Sequence, residues 1–290
     1  MRVVRTKSEL RRELAEPRRR RESIGLVPTM GALHDGHLSL TRTARAACDV
    51  VVMTLFVNPA QFSPGEDLHA YPRDEDRDLA RAENEGVDLV FAPSAAEMYP
   101  DGFATAVEVS RLTEVLEGAP EQRGAEHFRG VTTVVAKLLN IAQPDAAYFG
   151  QKDAQQAVVI RVMARDLDFP TRIEVVPTVR EPDGLAMSSR NRYLDPEQRT
   201  RAAALSRALR AAEGVAAAGE GSLDRVLDAA RRELAEAGIE PEYLEARDVE
   251  DLTPARGLNG RPVLIALAAR IGPARLIDNT VIESRTARGG

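Results

Sequence analysis

Residues 23–37 read SIGLVPTMGALHDGH, an apolar run that breaks at Pro28 and Gly31 and then gives two histidines three positions apart. The first half has the make-up of a buried strand. The second opens into LSLTRTARAACD, whose apolar residues recur at helical spacing. Strand, glycine-bearing turn and helix, in that order, form the opening unit of a parallel α/β sheet. The turn sets His34 and His37 beside a helix N-terminus, where unpaired N–H groups and the positive dipole end attract phosphate. At spacing i,i+3 the two imidazoles share one side of the first turn, with the helix itself expected to begin near His37. The same dipole end favours neutral rings, which would act as hydrogen-bond donors rather than as charged acids. A chain with only four histidines places two of them here. A metal pair or two satisfied surface histidines are the competing readings, and no third ligand cluster is evident nearby.

The alternation continues downstream. VVVMTLFVN (50–58), VDLVFAP (87–93), AAYFG (146–150) and TRIEVVPTV (171–179) are strand-like, whereas DEDRDLARAENEG (74–86), GVTTVVAKLLNIAQP (130–144) and DAQQAVVIRVMARD (153–166) are helix-like. This predicts an α/β, Rossmann-like, doubly wound parallel sheet over residues 1–184. Ligands would sit at the carboxyl ends of its strands, near the point where strand order reverses. Beyond about Arg190 an Ala/Arg/Glu-rich stretch reads as two helices, followed by the strand-like EYLEARDV, RPVLIALAARIG and ARLIDNTVIE. Residues 185–290 are therefore expected to form a smaller C-terminal α+β domain.

Composition narrows the class. A length of 290 residues accommodates two domains, and 43% hydrophobic with 29% charged residues fits a soluble chain with a proper core. The net charge of -6 argues against a general affinity for nucleic acid or an anionic membrane. The basic run RRRR at 18–21 reads as a solvated helix end, and the acidic DEDRDL at 74–79 as a solvated helix face rather than a metal site. Cys48, the single cysteine, cannot form an intramolecular disulfide and reads as a small, semi-buried helix residue. The charged first residues lack a signal-peptide core and no apolar run is long enough to span a bilayer, so a cytoplasmic protein without a membrane partner is expected.

The HxGH pattern of His34–His37 resembles the signature of the nucleotidyltransferase superfamily, and MSSRN at 187–191 resembles its second, mobile phosphate-binding loop. Ser188 and Ser189 supply hydroxyl donors there, and Arg190 a fixed cationic fork. FVNPAQF (56–62), HFRGV (127–131) and YFGQKDAQQ (148–156) complete a set of motifs that resembles the pantothenate synthetase (pantoate–β-alanine ligase) family over residues 28–194. The remaining C-terminal part resembles the family only in length and general pattern.

The resemblance implies ATP-dependent condensation of (R)-pantoate with β-alanine through a pantoyl adenylate, releasing AMP and pyrophosphate. It implies ATP as substrate with Mg²⁺ mainly on its phosphates, no protein metal ligands, and a homodimer. Met30, Gly31, Ala32, Leu33, His34, Asp35, Gly36 and His37 would line the ATP site, with His34 and His37 at the phosphates. Gly150, Gln151, Lys152 and Asp153 would contact the nucleotide, Lys152 toward phosphate. Val179 would meet adenine through its backbone, and Met187, Ser188, Ser189 and Arg190 would close over the triphosphate as a lid. His37, His34, Lys152 and Arg190 are the expected catalytic set. Gln61 and Gln156 would hold pantoate, Gln61 also lying by β-alanine, with Asn58 supporting the pocket.

Two departures stand out. Gln151 occupies the place of the family's usual glutamate, and the APEQRGAE loop between Gly118 and His127 is longer than usual, which leaves Glu117, Arg123 and Glu126 unassigned. The alternatives are another HxGH adenylyltransferase acting on a small carboxylate or phosphate substrate, and a catalytically silent nucleotide-binding regulator. The acidic balance argues against an aminoacyl-tRNA synthetase fragment, and the missing GxGxxG after the first strand against a dinucleotide dehydrogenase.

Overall fold

The computed structural model describes residues 1–62, 68, 71–258 and 261–283. Contacts divide the chain into two compact units: Met1–Gln151 with Gln155–Pro177, and Lys152–Ala154 with the residues from Thr178 onward. The first unit is built on six parallel strands: β1 (Arg2–Val4), β2 (Ile24–Thr29), β3 (Val50–Leu55), β4 (Leu89–Phe91), β5 (Ala146–Gly150) and β6 (Arg172–Val176). Between them run α1 (Lys7–Glu13), α2 (Ala15–Arg19), α3 (Asp35–Ala47), α4 (Glu75–Asn84), α5 (Ala95–Met98), α6 (Ala125–Ala142) and α7 (Ala154–Asp166).

Successive strand residues face opposite sides of a sheet, and here both sides are covered. Leu26, Val52, Phe91 and Phe149 pack with Leu10, Leu139 and Ile160. Their neighbours Val27, Val51, Val90 and Tyr148 pack with Leu38 and Ala44 on the other face. Burial on both faces is why these strands are nearly continuous apolar runs, each fully buried Leu, Val or Phe contributing roughly 1.5–3 kcal/mol. The spatial order is β1-β4-β3-β2-β5-β6. The chain winds from β2 outward to β4 and then resumes at β5 on the other side of β2, so strand order reverses between β2 and β5. A doubly wound sheet binds its ligands at the carboxyl ends of such a strand pair. Residues 30–37 follow β2 and residues 150–153 follow β5.

The expected strands and helices are present, with differences of detail. The edge strand β1, paired in parallel with β4, lies in a stretch that reads only as charged sequence. Helix α6 begins at Ala125 rather than at Gly130, so HFRGV is helical. Cys48 is the residue that ends α3 and is buried, its Sγ 3.4 Å from the Tyr148 hydroxyl. Of the basic run, Arg18 departs from solvent and donates to the Ala142 carbonyl at the end of α6 at 2.5 Å.

The second unit joins α8 (Pro196–Ala217) and α9 (Leu223–Glu236) to the antiparallel sheet β7 (Tyr243–Asp248), β8 (Val263–Ile271) and β9 (Ala274–Ile282). Asp195 starts α8 by accepting from the Gln198 N–H at 2.8 Å. Leu205, Leu209, Val226 and Leu234 pack on Ile265 and Leu267. The unit boundary falls between Pro177 and Thr178 rather than at 184/185. The physical reason is local: Arg180 bridges to Ala186 and its guanidinium holds the buried Asp278 of β9 at 2.6 Å. Lys152–Ala154 joins this unit because the Lys152 carbonyl accepts from Asn279 Nδ2 at 2.9 Å. Among the described residues, no helix is long and apolar enough to cross a membrane.

Candidate active site

The turn after β2 is bent by two left-handed residues, Gly31 at φ 87° and Ala32 at φ 51°. That bend leaves the Ala32 and Leu33 N–H groups without sheet or helix partners, and the buried Asp78 of α4 accepts both, each at 2.8 Å. Arg81 donates to the Leu33 carbonyl at 2.6 Å, so α4 clamps the turn by two side chains. A Cβ on residue 31 would stand 2.9 Å from Asp78 Oδ2 in addition to its unfavourable φ, which leaves glycine as the residue that fits. The solvated face expected for 74–79 is corrected here. Asp74 caps α4 and Glu75 pairs with Arg5, but Asp78 points inward and shapes the turn. Asp78→Asn replaces one acceptor oxygen with an NH₂ facing a backbone N–H. The expected cost is about 2–4 kcal/mol of unfolding free energy, read by urea denaturation. Unchanged stability would count against the clamp.

Helix α3 starts at Asp35, two positions ahead of the expected start, with His34 as its N-cap. The His34 and His37 rings lie 4.0 Å apart between centroids and tilt by 32°. The His34 N–H donates to His37 Nδ1 at 3.3 Å. A backbone N–H can only donate, so Nδ1 accepts and the ring's own N–H lies on Nε2, across the ring from the turn. His37 is thereby set as a donor by its own helix cap. At the head of α3 the His34 carbonyl accepts from the His37 and Leu38 N–H groups, at 2.8 and 3.1 Å.

After β3, Asn58 caps a short 3-10 turn, Pro59–Gln61. Asn58 Nδ2 donates to the Gly130 carbonyl and to Gln61 Oε1, both at 3.1 Å, and Gln61 Nε2 lies 3.1 Å from Met30 Sδ. The structure therefore brings Gln61, Asn58 and the start of the histidine turn together. His127, in the first turn of α6, holds the same backbone: its Nδ1 lies 2.7 Å from the Gln61 carbonyl, and its Nε2 3.0 Å from Arg123 Nη1. A guanidinium only donates, so Nε2 accepts and Nδ1–H donates to Gln61. Of the three unassigned residues, Glu117 is buried and Arg123, beside His127, is half-buried, the Glu117 carbonyl accepting from the Arg123 N–H at 2.9 Å. Glu126 is exposed and pairs with Arg129.

Gly150 ends β5 and Gln151 follows in a 3-10 turn. The adjacent glutamines divide roles. Gln155 is buried, accepting from the Glu117 N–H and donating to the Leu112 and Val115 carbonyls, and so pins the 112–117 loop. Gln156 is half-buried on α7. In the second unit, the half-buried Lys152 ammonium lies 3.7 Å from the Asp153 carboxylate. Val179 accepts from the Met187 N–H at 3.0 Å, closing a hairpin that brings these two together. Leu185, Ala186 and Asn191 are buried, with Asn191 donating to Glu181 and to the Ala186 carbonyl, whereas Met187–Arg190 is more open and Arg190 is exposed. The anchored part of the expected lid thus flanks a short open stretch. Asp78, Tyr99, His127 and Gln155 are the residues that sequence reasoning left without a role.

A sheet that reverses beside β2, with paired histidines capping the helix that follows, defines an α/β nucleotidyltransferase of the HxGH class. The chain belongs to the pantoate–β-alanine ligase family, whose model matches residues 2–281. It is 54% identical to a pantothenate synthetase of Moorella thermoacetica over 98% of this chain and 99% of that one. A pantothenate synthetase of a Roseiflexus species is 53% identical over 98% of this chain and all of its own. The crystal structure of pantothenate synthetase from Thermus thermophilus superposes with a TM-score of 0.89 at 49% identity, covering 98% of this chain and 100% of that one. A pantoate–β-alanine ligase from Francisella tularensis, solved with a β,γ-ATP compound and β-alanine, gives 0.78 at 33% identity over 97% of each chain.

Proposed function

We propose that the chain condenses (R)-pantoate with β-alanine at the expense of ATP, through a pantoyl adenylate. The observation that carries the reading is the close His34–His37 pair at the head of α3, beyond the switch point of the sheet. A carboxylate is a poor electrophile, so its oxygen first attacks the α-phosphorus and pyrophosphate leaves with the electrons of the broken P–O bond. The β-alanine amine then attacks the acyl carbon, loses a proton, and AMP departs. Negative charge accumulates on phosphate oxygens in the first step, and preorganised donors there lower the barrier most. In this reading His34 and His37 supply donors, Lys152 and Arg190 supply cations, and Met30–His37 and Gly150–Asp153 line the nucleotide. Val179 meets adenine, and Met187, Ser188 and Ser189 close over the phosphates. Gln61 and Gln156 hold pantoate.

Among the described residues, no three His, Cys, Asp or Glu side chains converge as a metal cage. In the same reading Mg²⁺ arrives mainly on ATP oxygens and water, as is usual for this ion. A homodimer, carried over from the family, belongs to the same reading, as does a cytoplasmic location, and light scattering tests the dimer.

The direct test is exchange of labelled pyrophosphate into ATP, run with pantoate and beside a panel of amino acids. Exchange that needs pantoate supports the assignment. Exchange with another small acid instead would favour a different HxGH adenylyltransferase. Within the site, Gln61→Ala is expected to raise the pantoate KM by at least about tenfold, the loss of hydrogen bonds to a buried polar substrate. The ATP KM should stay within about twofold, and an equal rise in both would remove Gln61 from the pantoate pocket.

A further inference from the structure

The Gln61 amide could in principle face a substrate with either end, but the groups around it do not leave that choice open. Asn58 is 1% exposed and touches two backbone groups of fixed polarity. The Ala60 N–H, which can only donate, lies 3.3 Å from one end of its amide, so that end is oxygen. The Gly130 carbonyl, which can only accept, lies 3.1 Å from the other end, so that end is nitrogen. Tyr99 sits at the end of α5, and its hydroxyl reaches Asn58 Oδ1 at 2.7 Å, shorter than the Ala60 contact. Since Oδ1 has no hydrogen to give, Tyr99 donates. Burial pushes the Tyr99 hydroxyl up to about 12, so the donor persists at every working pH. Polarity then passes along the chain: Asn58 Nδ2 donates to Gln61, the receiving atom is Oε1, and Gln61 Nε2 is left toward Met30. The thioether there is a weak acceptor that a substrate oxygen displaces at little cost.

The geometry points to Tyr99 as a positioning residue that, together with the Ala60 N–H and the Gly130 carbonyl, holds Asn58 and through it locks the Gln61 amide, so that Gln61 turns its Nε2 to pantoate as a hydrogen-bond donor. The inference rests on the placement of pantoate at Gln61 made above. It narrows the partner of Gln61 Nε2 to an oxygen lone pair, a carboxylate or a hydroxyl accepting. The Tyr99 ring also serves the packing, standing edge-on to Phe103 at 5.1 Å, with Phe56 at 6.3 Å. Phenylalanine keeps that packing and removes only the hydroxyl.

The test compares Tyr99→Phe, Gln61→Glu and Gln61→Ala in steady-state assays of the full chain, with thermal melts beside them. Tyr99→Phe should raise the pantoate KM about five- to tenfold, the worth of one hydrogen bond, and leave kcat and the ATP KM within about twofold. A purely structural hydroxyl would lower the melting temperature and leave that KM ratio alone. Gln61→Glu keeps the acceptor oxygen and loses the NH₂, so it should be no better with pantoate than Gln61→Ala. The proposal is overturned if Tyr99→Phe leaves the pantoate KM unchanged, or if Gln61→Glu binds pantoate as the parent does. Should Gln61→Ala itself spare pantoate, the placement of the substrate falls and this inference with it. If Gln61→Ala raises the pantoate KM and Tyr99→Phe does not, only the inference falls.

Discussion

Alanine in place of His37 is expected to slow ATP-dependent synthesis by about a hundredfold or more, because one donor is lost where transition-state charge accumulates. Conversion of supplied pantoyl adenylate and β-alanine should stay within about threefold of the parent, since the β- and γ-phosphates have already gone and that donor has no oxygen left to serve. Both half-reactions can be followed on one preparation. An equal fall in the two would make His37 a shared structural or acid–base residue instead.

The structure sharpens this test, because His37 has two roles on two ring nitrogens. Nδ1 accepts from the His34 N–H and so helps cap α3, while Nε2 carries the hydrogen assigned to phosphate. Asparagine places an acceptor near Nδ1, and glutamine places an NH₂ near Nε2. If the phosphate role dominates, His37→Gln recovers part of the first half-reaction and His37→Asn does not. The opposite ranking would assign the effect to the cap.

The sheet was legible because each strand is an apolar run stopped by proline, glycine or asparagine, and each long helix carries its apolar residues at helical spacing. β1 escaped because three residues, Arg2–Val4, set among arginines have no period to read. The histidine turn was legible as a phosphate site, but its clamp was not. Asp78 belongs to a run of charges whose composition is that of a solvated face, and only the left-handed turn at Gly31 and Ala32 creates the inward N–H groups that draw one carboxylate in. Gln155 and Gln156 are indistinguishable as letters; which one is consumed by the 112–117 loop depends on helix phase. The polarity of Gln61 was equally hidden. A sequence shows an amide, while its orientation comes from Tyr99, distant in sequence, and from two backbone groups.

Gly130 has the look of a helix start in the sequence, and its position inside α6 has the other large consequence. A Cβ built there would lie 2.1 Å from the Ala60 carbonyl oxygen and 2.6 Å from Gln61 Cα. Both neighbours are backbone, so no side chain can rotate away; either α6 or the Pro59–Gln61 turn must shift. The turn is the weaker body, held by Asn58, His127 and the helix itself, whereas α6 is buried along most of its length. Gly130→Ala should therefore move Gln61 by about an ångström, a displacement that can cost on the order of a hundredfold in rate when it falls on a substrate-positioning group. The overpacking should cost about 1–3 kcal/mol of stability at the same time. The expected signature is a fall of about a hundredfold in kcat/KM for pantoate with the ATP KM changed by less than about threefold. The ATP site is spared because the nearest atoms that the added methyl meets belong to the Pro59–Gln61 turn, not to the histidine turn. Gly214→Ala in α8, where an added Cβ meets nothing within 4 Å, serves as the control and should leave activity alone. Parent-like kinetics for Gly130→Ala would mean that the turn absorbs the methyl group without moving Gln61, and the close approach of α6 would not be what sets the pantoate pocket.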